Sequence, residues 1–255
     1  SGTSGFSKGV MIPYRALCSN IQFAKHVLPE LNDRSNVVSM LPSAHMYGMM
    51  FEFLFEMSIG MHVHFLTRTP SPKIIMQAFE EIKPNIIIAV PLIIEKVYKS
   101  KIQKMVEKGG LKTLLKVPVI DKVIQKKIRT ELVNAFGNQF IEVIMGGAAF
   151  NKDIENFFWK IGFPYTVGYG MTECAPIITY ARFDDKRLYS CGKAALNMQI
   201  RIDSEDPQRI EGEIQVSGPN VALGYFKNPQ ATADLFTEDG WLRTGDMGII
   251  DAEGY

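Results

Sequence analysis

The spacing of apolar residues predicts alternating strands and helices over about two thirds of the chain. The predicted strands are residues 36–41, 62–66, 85–90, 140–145 and 164–167; the predicted helices are residues 14–28, 73–82, 92–98, 102–107 and 121–136, and one after Asn151 that ends at Gly162. The strand at 85–90, NIIIAV, is continuously apolar, which is typical of a strand buried on both faces. Strands and helices that alternate at this spacing indicate a mostly parallel sheet with flanking helices.

The pattern changes after about residue 182. Short predicted strands at 199–202, 213–216 and 247–251 are separated by turns rich in Gly, Asp and Pro, with a single helical turn predicted at 231–236. We therefore predict an α/β subdomain at residues 1–181, followed by a smaller β-rich subdomain at residues 182–255.

Composition narrows the class of protein. The chain has 255 residues, of which 46% are hydrophobic and 22% charged, and its net charge of +1 argues against nucleic acid as a main partner. Glu52 and Glu56 interrupt the most apolar region, which predicts a buried helix and strand there, not a membrane span. Three widely spaced cysteines favour free thiols in a reducing compartment, so we expect a cytoplasmic protein.

Residues 99–138 are rich in lysine and predict basic amphipathic helices. Such helices can contact a membrane surface or an anionic cofactor. A solvated helical face explains the same composition, and we favour it. Membrane association therefore stands as the second interpretation of this segment, and the composition leaves the oligomeric state open.

The segment YTVGYGMTEC at residues 165–174 combines chemistry suited to a nucleotide. Gly168 and Gly170 permit tight turns and close approach. Tyr169 offers a flat face for a base, Thr172 a hydroxyl donor for a phosphate oxygen, and Glu173 a carboxylate for a hard cation such as Mg²⁺. An ordinary Gly-rich turn after a strand fits these residues equally well.

Further candidates lie where predicted strands end or turns begin. SGTSGFSKG at residues 1–9 can surround phosphates, although it is not a Walker A loop and a flexible terminus has the same composition. His45 follows the carboxyl end of a predicted strand, a position that favours contact with a ligand. The small residues at 146–149 lie between another predicted strand and a helix, which is also typical of a ligand-binding edge. Asp246 either caps a turn or accepts hydrogen bonds from a sugar diol.

Four segments, in order, resemble the motifs of the AMP-forming acyl-CoA synthetase family, also called the adenylate-forming or AMP-binding family. SGTSGFSKG resembles its phosphate loop SGTTGxPKG, and GYGMTE its adenine and metal motif. GEIQVSGPNVALGYFKNP and WLRTGDMGIID resemble GELxVRGPxVxxGYxxxP and GWxxTGDxGxxD. LPSAHMYGM and KPNIIIAVPLIIEKVY are more similar to the fatty-acyl-CoA ligases than to peptide-synthetase adenylation domains.

The resemblance implies a fold in which the β-rich part is a distorted barrel, and ATP, Mg²⁺, CoA and a fatty acid, long-chain by preference, as ligands. It implies contacts to the β- and γ-phosphates from Ser1, Thr3, Ser4 and Lys8. It implies an adenine pocket formed by Gly147, Ala148, Tyr169 and Gly170. It implies further roles for Thr172 at the α-phosphate, Glu173 at Mg²⁺, Asp246 at the ribose and His45 near the acyl carboxylate, with Thr172, Glu173, His45 and Lys8 as the catalytic set.

The sequence departs from the family pattern in two respects. Ser4 and Ser7 replace the usual Thr and Pro of the phosphate loop, and the first keeps the hydroxyl. By the resemblance, a segment would precede Ser1, and a hinge and a small C-terminal domain would follow Tyr255. We therefore expect a fragment of the large domain, with weak or no turnover alone. Two alternatives stay open: a domain that loads an amino or aryl acid onto a carrier protein, and a non-catalytic nucleotide-binding module.

Overall fold

The computed structural model describes residues 7–100 and 118–255, with side chains from residue 122 onward in the helix that begins at Pro118. The helices are α1 Tyr14–Val27, α2 Met46–Met49, α3 Phe55–Ile59, α4 Pro72–Ile82, α5 Pro91–Tyr98, α6 Pro118–Ala135, α7 Lys152–Lys160 and α8 Pro229–Leu235. A π-helical turn, Met50–Leu54, joins α2 to α3. None of the helices in this part of the chain is both long and apolar enough to cross a membrane.

Five strands of the first part run parallel. They are β1 Asn36–Ser39, β2 His62–Phe65, β3 Ile87–Ala89, β4 Val143–Met145 and β5 Tyr165–Val167. β1 pairs with β2, and β3, β4 and β5 form a second set, in the register Ile88 to Ile144 to Thr166. An isolated parallel bridge from Val37 to Ile86 joins the two sets, so the strand order is β2-β1-β3-β4-β5. In such a sheet, ligands bind beyond the carboxyl ends of the strands where the order reverses, here between β1 and β3.

Strands β1, β3, β4 and β5 are mostly buried and separate two apolar cores, whereas the edge strand β2 is partly exposed. Side chains alternate along β3: Ile86 and Ile88 face a core with α1 and α3, and Ile87 and Ala89 face a core with α4, α5, α6 and α7. This explains the continuous apolar run that the sequence shows at residues 85–90. Each helix layer covers one face of the sheet, so functional groups gather at its carboxyl edge.

The remaining strands are antiparallel. They are β6 Tyr169–Gly170, β7 Ile177–Tyr180, β8 Lys193–Ala194, β9 Gln199–Asp203, β10 Gly212–Ser217 and β11 Leu242–Gly248. They form two open sheets, β6-β7-β8 and β11-β10-β9, and no closed barrel occurs among the described residues. The division at residue 181/182 stays a prediction, and the sheet β6-β7-β8 has strands on both sides of it.

Most predicted elements of the first part agree with the structure to within three residues, and the helix predicted at 102–107 lies outside the described residues. In the second part, the predicted strand at 247–251 is wrong, because β11 begins at Leu242 and ends at Gly248. The apolar pattern does not mark this strand, because it carries polar side chains and Gly245. Its hydrogen bonds to β10 define it as a strand, with a register shift between Glu213 and Gln215.

Asn151 is the N-cap of α7, the helix that the sequence predicts after this residue. Its side-chain oxygen accepts hydrogen bonds from the backbone N–H groups of Asp153, at 3.0 Å, and Ile154, at 3.2 Å. Replacing Asn151 with alanine should lower the free energy of unfolding by about 1 kcal/mol, since two amides at the start of α7 lose their acceptor. Urea denaturation measures the change. Asn151→Asp, which keeps the acceptor, should stay within a few tenths of a kcal/mol of the original protein.

Candidate active site

Two adjoining spaces open at the carboxyl edge of the parallel sheet. The first, called the apolar cavity here, has a volume of about 390 Å³ and is lined mainly by α1, the segment from Leu41 to Glu56, and the ends of β3, β4 and β5. The second, called the cleft here, has a volume of about 840 Å³ and lies between residues 147–150 and the antiparallel sheets. Gly147, Gly168, Tyr169 and Gly170 line both spaces, so the two meet at these residues.

The backbone of GYGMTE is fixed by its neighbours. The Gly168 N–H donates to the carbonyl of Met145, at 2.8 Å, which anchors the segment to the end of β4. A Cβ at Gly170 would lie 2.2 Å from the carbonyl oxygen of Pro176, so no larger residue fits there. The Met171 N–H donates to the same carbonyl, at 2.9 Å, and a 3₁₀ turn follows at Thr172–Cys174. This packing places Tyr169 at the junction of the two spaces and Thr172 on the wall of the apolar cavity.

Tyr169 and Asp246 meet in the cleft, although 77 residues separate them. The Tyr169 hydroxyl donates to the Asp246 carboxylate at 2.6 Å. Burial raises the pKa of Tyr169, and the hydrogen bond to Asp246 raises it further, so the hydroxyl stays protonated. Gly147 and Ala148 line the same cleft and are exposed. The cleft thus brings together an aromatic ring, small residues and a carboxylate, and their role at a nucleoside stays a prediction.

Glu173 is buried, with 4% of its surface exposed, and is held by Tyr225. The Tyr225 hydroxyl donates to Oε1 of Glu173 at 2.7 Å. Nζ of Lys8 lies 4.8 Å from the centroid of the Tyr225 ring, which is a cation–π distance. The structure therefore brings Lys8 and Glu173, far apart in sequence, to one tyrosine.

The end of the predicted phosphate loop is attached to the segment that carries Tyr225. The Met11 N–H donates to Gly224, at 2.9 Å, and the Phe226 N–H donates to Gly9, at 2.8 Å, around a bridge from Val10 to Tyr225. These hydrogen bonds position Lys8. Ser1, Thr3 and Ser4 lie outside the described residues.

The predicted metal role depends on one carboxylate, that of Glu173. No group of three His, Cys, Asp or Glu side chains able to hold a metal occurs in the described part of the chain. Mg²⁺ commonly takes one or two protein carboxylates and fills its other positions with phosphate oxygens and water. Glu173 alone fits that kind of site, in which the nucleotide supplies further ligands.

Glu52, which is not among the predicted site residues, holds the start of the loop LPSAH at residues 41–45. Oε2 of Glu52 accepts from the backbone N–H groups of Met40 and Leu41, at 3.0 and 2.8 Å, and from the Ser39 hydroxyl at 3.2 Å. Burial raises the pKa of Glu52 to about 7. Its π-helical turn is a feature often found at functional sites. The loop it holds presents His45, which is exposed and lines the apolar cavity.

The apolar cavity contains a second buried carboxyl, Glu56, that the sequence marks only as an interruption of an apolar run. It is fully buried and lines the cavity among aliphatic and aromatic side chains. Burial raises its pKa to about 8, and the nearby charge of Glu52 adds to that rise. Tertiary structure therefore adds three residues to the site: Tyr225, Glu52 and Glu56. Of these, Tyr225 is marked in the sequence, because it lies in the GYFKNP segment that resembles a family motif.

A model of the family described as AMP-binding enzyme matches residues 1–226. The chain belongs to this family. The match covers the predicted phosphate loop and GYGMTE and ends at Phe226, within GYFKNP, so it includes Lys8, Tyr169, Glu173 and Tyr225.

The chain is similar to ligases that act on different acids. It is 26% identical over 283 residues to long-chain-fatty-acid–CoA ligase FadD15 of Mycobacterium tuberculosis, covering 100% of this chain and 44% of that protein. It is 25% identical to the human long-chain-fatty-acid–CoA ligase ACSBG2, covering 100% and 41%. It is 29% identical to 4-coumarate–CoA ligase of Pinus taeda, covering 98% and 44%. The chain thus spans less than half the length of these relatives.

Solved structures show the same fold. ATP-bound MatB from Rhodopseudomonas palustris has a TM-score of 0.77 and 25% identity, covering 100% of this chain and 45% of that one. A malonyl-CoA ligase with methylmalonyl-CoA and AMP bound has a TM-score of 0.76, 26% identity and coverage of 100% and 50%. The o-succinylbenzoate-CoA synthetase of Bacillus subtilis with ATP and magnesium, 22% identical at a TM-score of 0.75 and with coverage of 100% and 47%, supports the fold alone.

Proposed function

We propose that the protein activates a fatty acid with ATP, forming an acyl-adenylate and pyrophosphate, and transfers the acyl group to CoA with release of AMP. The observation that carries this proposal is the junction of the two spaces. A nucleotide in the cleft and an acyl chain in the apolar cavity would meet at Gly147 and Gly168–Gly170, beside Thr172. That junction suits a reaction between a carboxylate and an α-phosphate.

The first half of the reaction needs positioning and charge stabilisation more than proton transfer. The acid is already ionised at neutral pH, so its oxygen attacks the α-phosphorus without a general base, and pyrophosphate leaves with the bonding electron pair. Tyr169 would stack on adenine and Asp246 would accept from the ribose hydroxyls. Thr172 would donate to the α-phosphate, while Lys8 would offset charge on the leaving phosphates. Mg²⁺ held by Glu173 would supply further positive charge.

In the second half, the thiolate sulfur of CoA attacks the acyl carbonyl, the bond to AMP breaks, and AMP leaves. The described cysteines take no part in this proposal. Cys174 is fully buried and burial raises the pKa of its thiol, which agrees with a packing role. His45 lies at the apolar cavity and would face the acyl carboxylate.

The relatives differ in the acid for which they are named. The apolar lining and the volume of about 390 Å³ are suited to a hydrocarbon chain, and ligand pockets usually measure about 300–1,000 Å³. Two of the relatives described above are named for long-chain fatty acids. We propose a long-chain acid on these grounds.

Calorimetric titration with non-hydrolysable acyl-adenylate analogues tests this proposal. With two-carbon, eight-carbon and sixteen-carbon acyl groups, affinity should rise with chain length. Tyr169→Ala should weaken binding of every analogue about tenfold or more, since base stacking on an aromatic side chain contributes about 1–3 kcal/mol. Tyr14→Ala is the control, because Tyr14 is 86% exposed and lines neither space. Affinity that is independent of chain length would contradict the fatty-acid assignment.

A further inference from the structure

The two side chains proposed for the α-phosphate and the metal, Thr172 and Glu173, lie in a turn that folds back on itself. The Met171 N–H donates to the carbonyl of Pro176 at 2.9 Å, and the Ala175 N–H donates to the carbonyl of Thr172 at 3.2 Å. Ala175 has a φ of 57°, in the left-handed region that residues other than glycine adopt at a cost in free energy. Such a turn keeps its shape where neighbouring segments hold it, so the position of its two functional side chains depends on those segments.

Asn20, a residue of α1, holds the end of this turn. Its side chain is fully buried. The amide nitrogen donates to the carbonyl of Cys174 at 3.3 Å, and the amide oxygen accepts from the Ile177 N–H at 3.0 Å. The same nitrogen donates to the carbonyl of Ala16, one helical turn back, at 2.8 Å. Three hydrogen bonds therefore fix the amide between its own helix and the turn.

The segment that leads to Tyr225 holds the same turn. The Asn220 amide donates to the carbonyl of Ile177 at 2.8 Å, and the Ala222 N–H donates to the carbonyl of Glu173 at 2.8 Å. The turn is thus hydrogen-bonded both to α1 and to the segment whose tyrosine holds the Glu173 carboxylate.

The helix by itself does not explain an asparagine at position 20. The buried face of α1 includes Phe23 and Ala24, which belong to an apolar core. Asparagine is a weaker helix former than leucine, and burying its amide is unfavourable unless hydrogen bonds compensate. Leucine has similar branching and would suit an apolar core. The hydrogen bonds of Asn20 to the turn give the amide its role.

We propose that Asn20 is a positioning residue for the activation step, which sets the location of Thr172 and Glu173 and, through them, that of the α-phosphate and Mg²⁺. This inference rests on the proposed function and adds a residue to it. Asn20 lines neither the apolar cavity nor the cleft, so it acts through the turn without touching a ligand. Its helix begins at Tyr14, soon after Lys8, so one helix connects the predicted phosphate loop to the turn with the metal carboxylate.

Acid-dependent pyrophosphate exchange by the full-length protein tests this role. Octanoic, dodecanoic and hexadecanoic acids are assayed first, and the acid with the highest kcat/KM is used throughout. Asn20→Leu should lower kcat about tenfold or more and raise the Mg²⁺ concentration for half-maximal exchange several-fold, because a small misplacement of the reacting groups is costly. The KM for the acid should stay within about threefold, since the loss lies at the phosphate and the metal. Asn20→Ala is the second variant, and urea denaturation shows which variants are folded.

Two comparisons separate positioning from a general loss of stability. Leu17→Ala changes an α1 residue that packs against the same core and lines neither space, so kcat and the Mg²⁺ dependence should stay unchanged. In a Glu173→Gln background the metal carboxylate is already lost. Asn20→Leu should then lower kcat by about threefold at most, because two changes that act through one contact are not additive.

The outcomes distinguish this inference from the proposed function. Unchanged kcat in folded Asn20→Leu or Asn20→Ala, an equal loss in Leu17→Ala, or a loss confined to the KM for the acid overturns the inference and leaves the proposed function intact. Losses that multiply in the double variant with Glu173→Gln overturn it as well. Failure of every acid to support exchange by the original protein overturns the proposed function itself, and this inference with it.

Discussion

Replacing Glu173 with glutamine is expected to reduce acid-dependent pyrophosphate exchange by the full-length protein about a hundredfold or more. Glutamine has the same shape but no charge, so a cation at this position loses its protein carboxylate. The charge on the reacting phosphates would then be offset less in the transition state, which is where removal of an electrostatic contact costs most. The binding of the free acid should change little, because Glu173 does not line the apolar cavity.

Tyr225→Phe tests whether the orientation of that carboxylate matters. The substitution keeps the ring near Lys8 and removes the hydroxyl that donates to Glu173 at 2.7 Å. We expect a smaller loss than in Glu173→Gln, about tenfold, together with a higher Mg²⁺ concentration for half-maximal exchange. Unchanged exchange in Glu173→Gln, in a protein shown to be folded, would contradict the metal role proposed for Glu173.

Stability is expected to decrease as the pH rises from about 5 to 9, by several kcal/mol. Burial raises the pKa values of Glu52, Glu56 and Glu142 to about 7, 8 and 7, above the value of 4.5 for an exposed glutamate. Below pH 4.5 each group is protonated in both folded and unfolded chains. Between that pH and the raised pKa, the unfolded chain releases protons that the folded chain retains, which favours unfolding. At about 1.4 kcal/mol per pKa unit, these rises correspond to roughly 3 to 5 kcal/mol for each group taken singly, with Glu56 at the upper end.

Urea denaturation at a series of pH values measures this effect. Glu56→Gln should flatten the dependence of the unfolding free energy on pH and should raise stability at pH 8.5 by about 1–3 kcal/mol, because the amide is never ionised. Glu80→Gln is the control, since Glu80 is exposed on α4 and its replacement should leave the slope unchanged. Parallel curves for Glu56→Gln and the original protein would contradict the assignment of the pH dependence to Glu56.

The parallel part of the fold is largely predictable from the sequence because its signals are local. Continuous apolar runs mark strands buried on both faces, as at residues 85–90, and Pro and Asn151 mark where helices end or begin. β11 was not predictable in this way. It carries polar residues and Gly245, and its pairing with β10 defines it.

The same distinction between local and long-range information applies to the candidate site. The chemistry of Tyr169, Thr172 and Glu173 is readable from one short segment, in which side-chain type and spacing suffice. The partners of these residues are not readable: Asp246 lies 77 residues from Tyr169, and Tyr225 lies 52 residues from Glu173. Those pairs depend on how the antiparallel sheets pack against the edge of the parallel sheet.

By itself, the sequence determined the family motifs, the α/β alternation and the type of chemistry at GYGMTE, since each depends on residues close together in the chain. Tertiary structure alone decided which charges are buried and what they face. Glu52 and Glu56 are one helical turn apart and look alike in the sequence. The fold gives Glu52 three donors from residues 39–41, where β1 leads into the LPSAH loop, and gives the Glu56 carboxyl no partner on another residue in the described part of the chain. Burial and hydrogen bonding arise from contacts between distant segments, and no local pattern encodes them.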